Sequence, residues 1–286
     1  MSDAKNFPDE GQNLLGSVMG PMWGAIAELR ELTAYDLPEH ENKPFVEFTH
    51  WINTRPRFIA DWRSDSETEQ WDYPRFMIVA DGVRAAYAAV RYHFGRLKQL
   101  EDAAREIMAK HDLSKHIPPN SAVGFGSMHK LDFEYHAYVL AYRRSLDYLA
   151  WGLSTYFKQK QSSFQRFGRL LAGAHPSDVA AAVKAVYDRH SPSFAFVMDE
   201  ERGRSVRDRL THREFVPAGN FNVTPYGFSL FGGGEKLGLG PHNGRSPFEA
   251  RPLADVLEER RAALHACLAD FLETFRTAVI EHERNI

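Results

Sequence analysis

Apolar and polar positions along this chain recur mostly with the period of a helix. Residues 252 to 283 are the clearest case. Leu253, Val256, Leu257, Leu264, Leu268, Phe271, Leu272 and Phe275 return at three- and four-residue steps, which puts them on one stripe of a long amphipathic helix. Asp81-Gly82 opens a second long helix that runs to about His111. Its apolar side is read as Ala85, Ala89, Tyr92, Leu97, Leu100 and Ala104, and Glu101 and Arg105 stand at ion-pair spacing. The strongest helix extends from about Leu131 to Lys160. Its middle is apolar on more than one face, as expected of a helix at the centre of a bundle. Pro176-Ser177-Asp178 begins another, continued by Ala180, Val183, Val186 and Tyr187 and ended by Ser191-Pro192. Leu14 to Thr33 can form a helix kinked near Gly20-Pro21, with Leu29 and Leu32 on its apolar side.

Other stretches carry weaker periods. Residues 1 to 12 read as a polar tail, and Leu37-Pro38 to Pro44 as a polar loop. Residues 45 to 80 are aromatic-rich, with Pro56 and Pro74 as breaks. Trp51, Trp62, Trp71 and Tyr73 in this part are read as core in preference to a recognition surface. Pro118, Pro119, Gly124 and Gly126 mark a loop, and residues 199 to 216 a short arginine-rich helical segment. The glycines between 221 and 240 predict a small β-hairpin or ordered loop. The fold expected is therefore mainly α, a helical bundle. Residues 1–130 form an N-terminal helical, aromatic-rich region, either separate or part of the same bundle, and residues 131–286 a helical domain.

Composition narrows the field. The 286 residues are 43% hydrophobic and 26% charged, enough apolar material for a sizeable core. A formal net charge of -3 gives no global basic field, so a nucleic acid would have to meet a local patch. The single cysteine, Cys267, cannot form an intrachain disulfide and falls on the apolar side of the last helix. The polar start of the chain is unlike a signal peptide, and no stretch has the apolar length of a membrane span. A cytoplasmic protein with no membrane partner is expected.

Several chemistries lack their residues. There is no Cys-x-x-Cys, no His-Glu-x-x-His and no Gly-x-Ser-x-Gly. Only Glu47-Phe48-Thr49-His50 has the Glu-x-x-His spacing of a di-iron helix, where two such pairs are needed. Gly124 to Lys130 does not have phosphate-loop spacing, and the glycines at 232 to 234 lack a strand-helix context. No metal and no cofactor are expected.

What remains is the segment Ser205 to Phe215. In a helix, Arg207 and His212 lie about 7.5 Å apart along the axis and roughly 140° apart around it. Their long side chains can still converge near one helix edge. Such a pair has a use on RNA: a histidine can move a proton at a ribose 2′-hydroxyl or a leaving oxygen. A guanidinium can hold the phosphate and offset its growing charge. A spacing of five or six positions recurs at Arg105 and His111, Arg169 and His175, Arg260 and His265, and Arg276 and His282. The polar Asp208 and the basic neighbours Arg202, Arg204, Arg209 and Arg213 single out 207 to 212.

Arg207-Asp208-Arg209-Leu210-Thr211-His212 resembles the Arg-x4-6-His signature of HEPN domains, with Asp208 where asparagine is usual. The preceding helix is similar to those of HEPN bundles in Tyr138, Leu140, Ala141, Tyr142, Arg144, Ser145, Leu146, Asp147 and Leu149. The resemblance covers roughly residues 131 to 285. It implies an up-and-down helical bundle that dimerises to join two motifs in one ribonuclease cleft, in a toxin or phage-defence setting with an antitoxin or regulatory protein as partner. It assigns Arg207, Asp208 and His212 to catalysis without metal, and Arg204, Arg209 and Arg213 to RNA binding. The alternative is a related module that binds RNA or protein without cleaving.

Overall fold

The computed structural model describes residues 25–26, 28–119, 121, 123–125, 129–198, 205–212, 215, 218–224, 227–232 and 253–286. The chain divides into two units, Met1–Leu37 and Pro38–Ile286. In the first, residues 25–26 and 28–33 are helical. The Thr33 hydroxyl donates to the Leu29 carbonyl at 2.6 Å, and Ile26, Leu29 and Leu32 are exposed.

The second unit is a mainly helical bundle. Its helices are α1 (Glu39–Asn53), α2 (Arg57–Ser64), α3 (Ser66–Met77), α4 (Asp81–Lys110), α5 (His129–Tyr156), α6 (Phe164–Leu171), α7 (Ser177–His190), α8 (Ala195–Met198), α9 (Val206–His212) and α10 (Leu253–Arg284). Three strands, β1 (Val123–Phe125), β2 (Gly219–Thr224) and β3 (Gly227–Gly232), form an antiparallel sheet in the order β1-β2-β3. Val123 pairs with Val223, and Phe221 with Leu230. Residues 233–240 of the expected glycine-rich stretch lie outside the described residues. The segment before His129 was expected to be a plain loop, but Val123–Phe125 is a sheet strand.

The centre is α5, buried on most of its circumference from Leu131 to Tyr156. It runs antiparallel to α4, since Tyr148 lies beside Gly82 while the His93 ring meets Glu134 at 2.7 Å. The buried side of α4 is Val83, Ala86, Tyr87, Val90, Leu97 and Glu101, one step round from the expected face, and Tyr92 is exposed. Helix α10 buries the predicted stripe Leu253, Val256, Leu257, Leu264, Leu268, Phe271, Leu272 and Phe275, together with Cys267. The Tyr138 and Tyr142 hydroxyls tie α5 to it by donating to the carbonyls of Leu257 (2.9 Å) and Arg260 (3.0 Å). Two histidine–aspartate contacts pin α7 antiparallel along α10: His190 with Asp270 and His282 with Asp178, each at 2.8 Å.

Residues 39 to 77 are three helices, where the sequence predicts a loop and an unreadable stretch. Pro44 lies inside α1 and Pro74 inside α3. A proline removes one helix hydrogen bond, and aromatic burial on the same elements outweighs that loss. Phe48, Trp51, Phe58, Trp62 and Phe76 pack with Tyr156 and Phe275, with ring centroids 5.0 to 6.5 Å apart. The Asp65 carboxylate caps α3, accepting from the backbone N–H groups of Glu67 (3.1 Å) and Thr68 (2.9 Å). Trp51 and Trp62 are thus core, whereas Trp71 is 65% exposed. Among the described residues no helix is long and apolar enough to cross a membrane.

Candidate functional site

Helix α9 begins at a buried serine. Ser205 Oγ accepts from the Asp208 backbone N–H at 3.1 Å, satisfying one of the free donors of the first turn, and buried Val206 anchors the turn beside it. Arg207 Nη1 donates to Asp208 Oδ1 at 2.5 Å. Arg207 is about one-third exposed and Asp208 about half that. Thr211 Oγ1 donates back to the Arg207 carbonyl at 3.0 Å and holds that turn. Burial pushes the Asp208 carboxyl up. Hydrogen bonds from Arg207 and Ser205, with the charges of Arg207 and Arg143, outweigh it and hold the group below the usual carboxylate range. Asp208 is therefore a fixed anion that positions Arg207, not a proton donor near neutral pH.

The helix packs on α5 and α8, and more arginine reaches the same junction. Arg143 of α5 is 4% exposed. It donates to Asp147 Oδ2 (2.8 Å), the Val197 carbonyl of α8 (2.8 Å) and Ser163 Oγ (3.1 Å). The other oxygen of Asp147 accepts from the Phe164 N–H that opens α6, at 2.9 Å. Arg260 of α10 lies over the Phe196 ring, 3.9 Å from its centroid, and Tyr142 meets the same ring at 5.0 Å. Burial pulls the Arg260 pKa down, and its Nη1 is buried without a hydrogen-bond partner among the described residues. The Tyr135 hydroxyl is pushed up by burial, against the opposing fields of Arg260 and Arg209. Arg143 and Arg260 meet α8 here, α9 with Arg207 and Arg209 packs on the same helix, and Asp147 and Asp208 pair with Arg143 and Arg207.

The sequence-predicted residues divide accordingly. Arg207 and Asp208 are joined, and Arg209 is on the same helix. The side chain of His212 and residues Arg204 and Arg213 lie outside the described residues. Two other histidines at similar spacing are engaged in packing: His265 meets the Glu41 carbonyl at 3.0 Å, and His282 meets Asp178. Sequence reasoning passed over Arg143 and Arg260. The signal available was an arginine inside the apolar middle of the strongest helix, because a charge there must find partners.

A second polar cluster was also missed. Glu41 of α1 accepts from Tyr87 (2.9 Å), Arg91 (2.5 Å) and Arg261 (2.7 Å), and Arg261 also engages Glu258. Burial raises the Glu41 pKa, but Tyr87, Arg261 and Arg91 together hold it low. Glu41, Tyr87 and Arg261 are all under 9% exposed. A closed, mutually satisfied set of this kind fastens α1, α4 and α10 together and offers no face to a substrate. No family model matches the chain, and no curated protein or solved structure matches it.

Proposed function

We propose that this chain is a metal-independent endoribonuclease of the HEPN type, working from helix α9. The observation that supports it best is the placing of Arg207 and Arg209 on one short helix, packed beside the buried Arg143 and Arg260, in a chain whose net charge is -3. A local cationic site in an acidic protein suits phosphate. In this reading Arg207, held by Asp208, binds and neutralises the scissile phosphate. His212 moves the proton: the ribose 2′-oxygen attacks phosphorus, its proton leaves to a base, and the 5′-oxygen departs carrying a proton. The products are a 2′,3′-cyclic phosphate and a 5′-hydroxyl, with no water or metal consumed in the step. Arg204, Arg209 and Arg213 attract the RNA backbone. The working form is a cytoplasmic homodimer that joins two α9 segments and serves defence under an antitoxin or regulatory partner.

One observation favours the non-cleaving alternative, in which the same surface only binds. The Arg207–Asp208 ion pair at 2.5 Å already spends part of the guanidinium on a neighbour. Cleavage of a labelled structured RNA in EDTA by wild type and His212→Ala separates the two. Activity in the wild type alone supports the nuclease. Salt-sensitive binding without product supports the binding module, and equal cleavage by both proteins contradicts the assignment of His212.

A further inference from the structure

Helix α5 carries an outward stripe that core packing does not use. His129, Phe133, His136, Leu140 and Arg144 fall within an arc of about 80° at 100° per residue, along roughly 22 Å of helix. Phe133 is 62% exposed and Leu140 39%. Phe215, three residues beyond His212, is 55% exposed and lies against this stripe. Its ring centroid is 5.1 Å from that of His136 and 6.2 Å from that of His129, in edge geometry. His129 and Phe133 stack nearly parallel, 19° apart in plane at 6.1 Å. Four rings thus form a continuous shelf on the surface of α5.

The charges around the shelf favour an anion. Lys130 and Arg144 are exposed on α5, and α9 with Arg207 and Arg209 packs against the same helix. The nearby carboxylates are turned to protein partners. Asp132 is 4% exposed and accepts from the Ala218 N–H at 2.7 Å. Glu134 is bonded to His93 and lies 3.8 Å from Arg96. Exposed rings next to arginines are how proteins hold unpaired bases, because every base has a π-face to stack while cations track the phosphates.

We infer that the Phe133–Phe215 shelf is a stacking platform for unpaired bases, a binding surface beside α9 that holds the bases of a strand whose phosphates meet the α9 arginines. The inference rests on the proposal that α9 acts on RNA. Duplex bases are already stacked on one another and present no free face to the shelf.

The test is fluorescence anisotropy with a labelled 2′-O-methyl strand, which cannot cyclise and so reports binding alone. A duplex of equal length is titrated beside it. Wild type is compared with Phe133→Leu and Phe215→Leu, exposed substitutions that keep apolar bulk and remove the ring. The expected result is tighter binding of the single strand by wild type. Each variant then loses at least about fivefold in single-strand affinity, the lower end for one base stack, while duplex affinity stays unchanged. Variants that bind the single strand as wild type does overturn the platform and leave the α9 reading standing. A wild type that binds neither RNA at low salt overturns both. A dimer that becomes monomeric in Phe133→Asp, with RNA affinity unmoved in the leucine variants, overturns the platform and assigns the face to a second copy of the chain.

Discussion

Arg261 Nη1 donates to Glu41 Oε1 at 2.7 Å, closing 220 residues of chain between the first helix of the bundle and the last. Tyr87 donates to the other carboxylate oxygen, and Arg91 supplies a second guanidinium. Glu41→Ala removes the anion shared by partly exposed Arg91 and buried Arg261, leaving Arg261 paired with the Glu258 carboxylate alone and Tyr87 without its acceptor. Removing one partner of such a set costs about 3–5 kcal/mol, a large share of the roughly 5–15 kcal/mol that stabilises a domain. Urea unfolding followed by circular dichroism checks this. A loss under about 1 kcal/mol would show that the cluster does not fasten the helices.

How much was legible in the sequence can be judged from particular positions. The α10 stripe was readable because Leu257, Leu264 and Phe271 stand among charged residues, so the helical period has contrast. In α4 the contrast fails: alanines at 85, 86, 88 and 89 look alike, and the inward side was set by Tyr87 meeting Glu41 rather than by Tyr92. Residues 57 to 77 read as broken because proline and acidic residues obscure the period, while the aromatic contacts that stabilise these helices come from Tyr156 and Phe275. At the candidate site, Arg207 and Asp208 were visible as neighbours. Arg143 and Arg260 were not, since Val197 and Phe196, which hold them, are far away in the chain.

Glu101 responds to pH in the direction opposite to Glu41. It is 2% exposed, and burial pushes its carboxyl up against the Arg105 charge and the Ala254 N–H. A carboxyl raised in the folded state is most favourable below its unfolded value, about 4.3. That contribution is lost as pH rises through the folded value, because the buried charge is then penalised. Glu101→Gln should therefore be more stable than wild type at pH 7, and the difference should vanish below about pH 4. Thermal melts at the two pH values measure it, and a variant less stable at pH 7 would show that the Arg105 ion pair dominates.

Gly152 sets how closely α5 approaches the end of α3. A Cβ there would stand 2.2 Å from Val79 Cγ2 and 3.2 Å from the Val79 backbone nitrogen. The first atom can move, but the second belongs to the chain path. Gly152→Ala should cost about 1–3 kcal/mol by overpacking, despite alanine being the better helix former. Gly95 of α4 has nothing within 4 Å of the same construction. Gly95→Ala should be neutral or stabilising by up to about 1 kcal/mol, and reversal of this order in denaturant midpoints would contradict the packing described.

The most direct test of the α9 assignment is the chemistry of the RNA ends. Wild type, His212→Ala and Arg207→Ala are incubated in EDTA with one end-labelled RNA, and the products are resolved before and after acid opening of cyclic phosphates. The account predicts 2′,3′-cyclic phosphate ends from the wild type, none above background from His212→Ala, and a loss of at least about 100-fold with Arg207→Ala, the scale of one removed charge-stabilising donor. Cyclic-phosphate ends formed equally by all three proteins would contradict it.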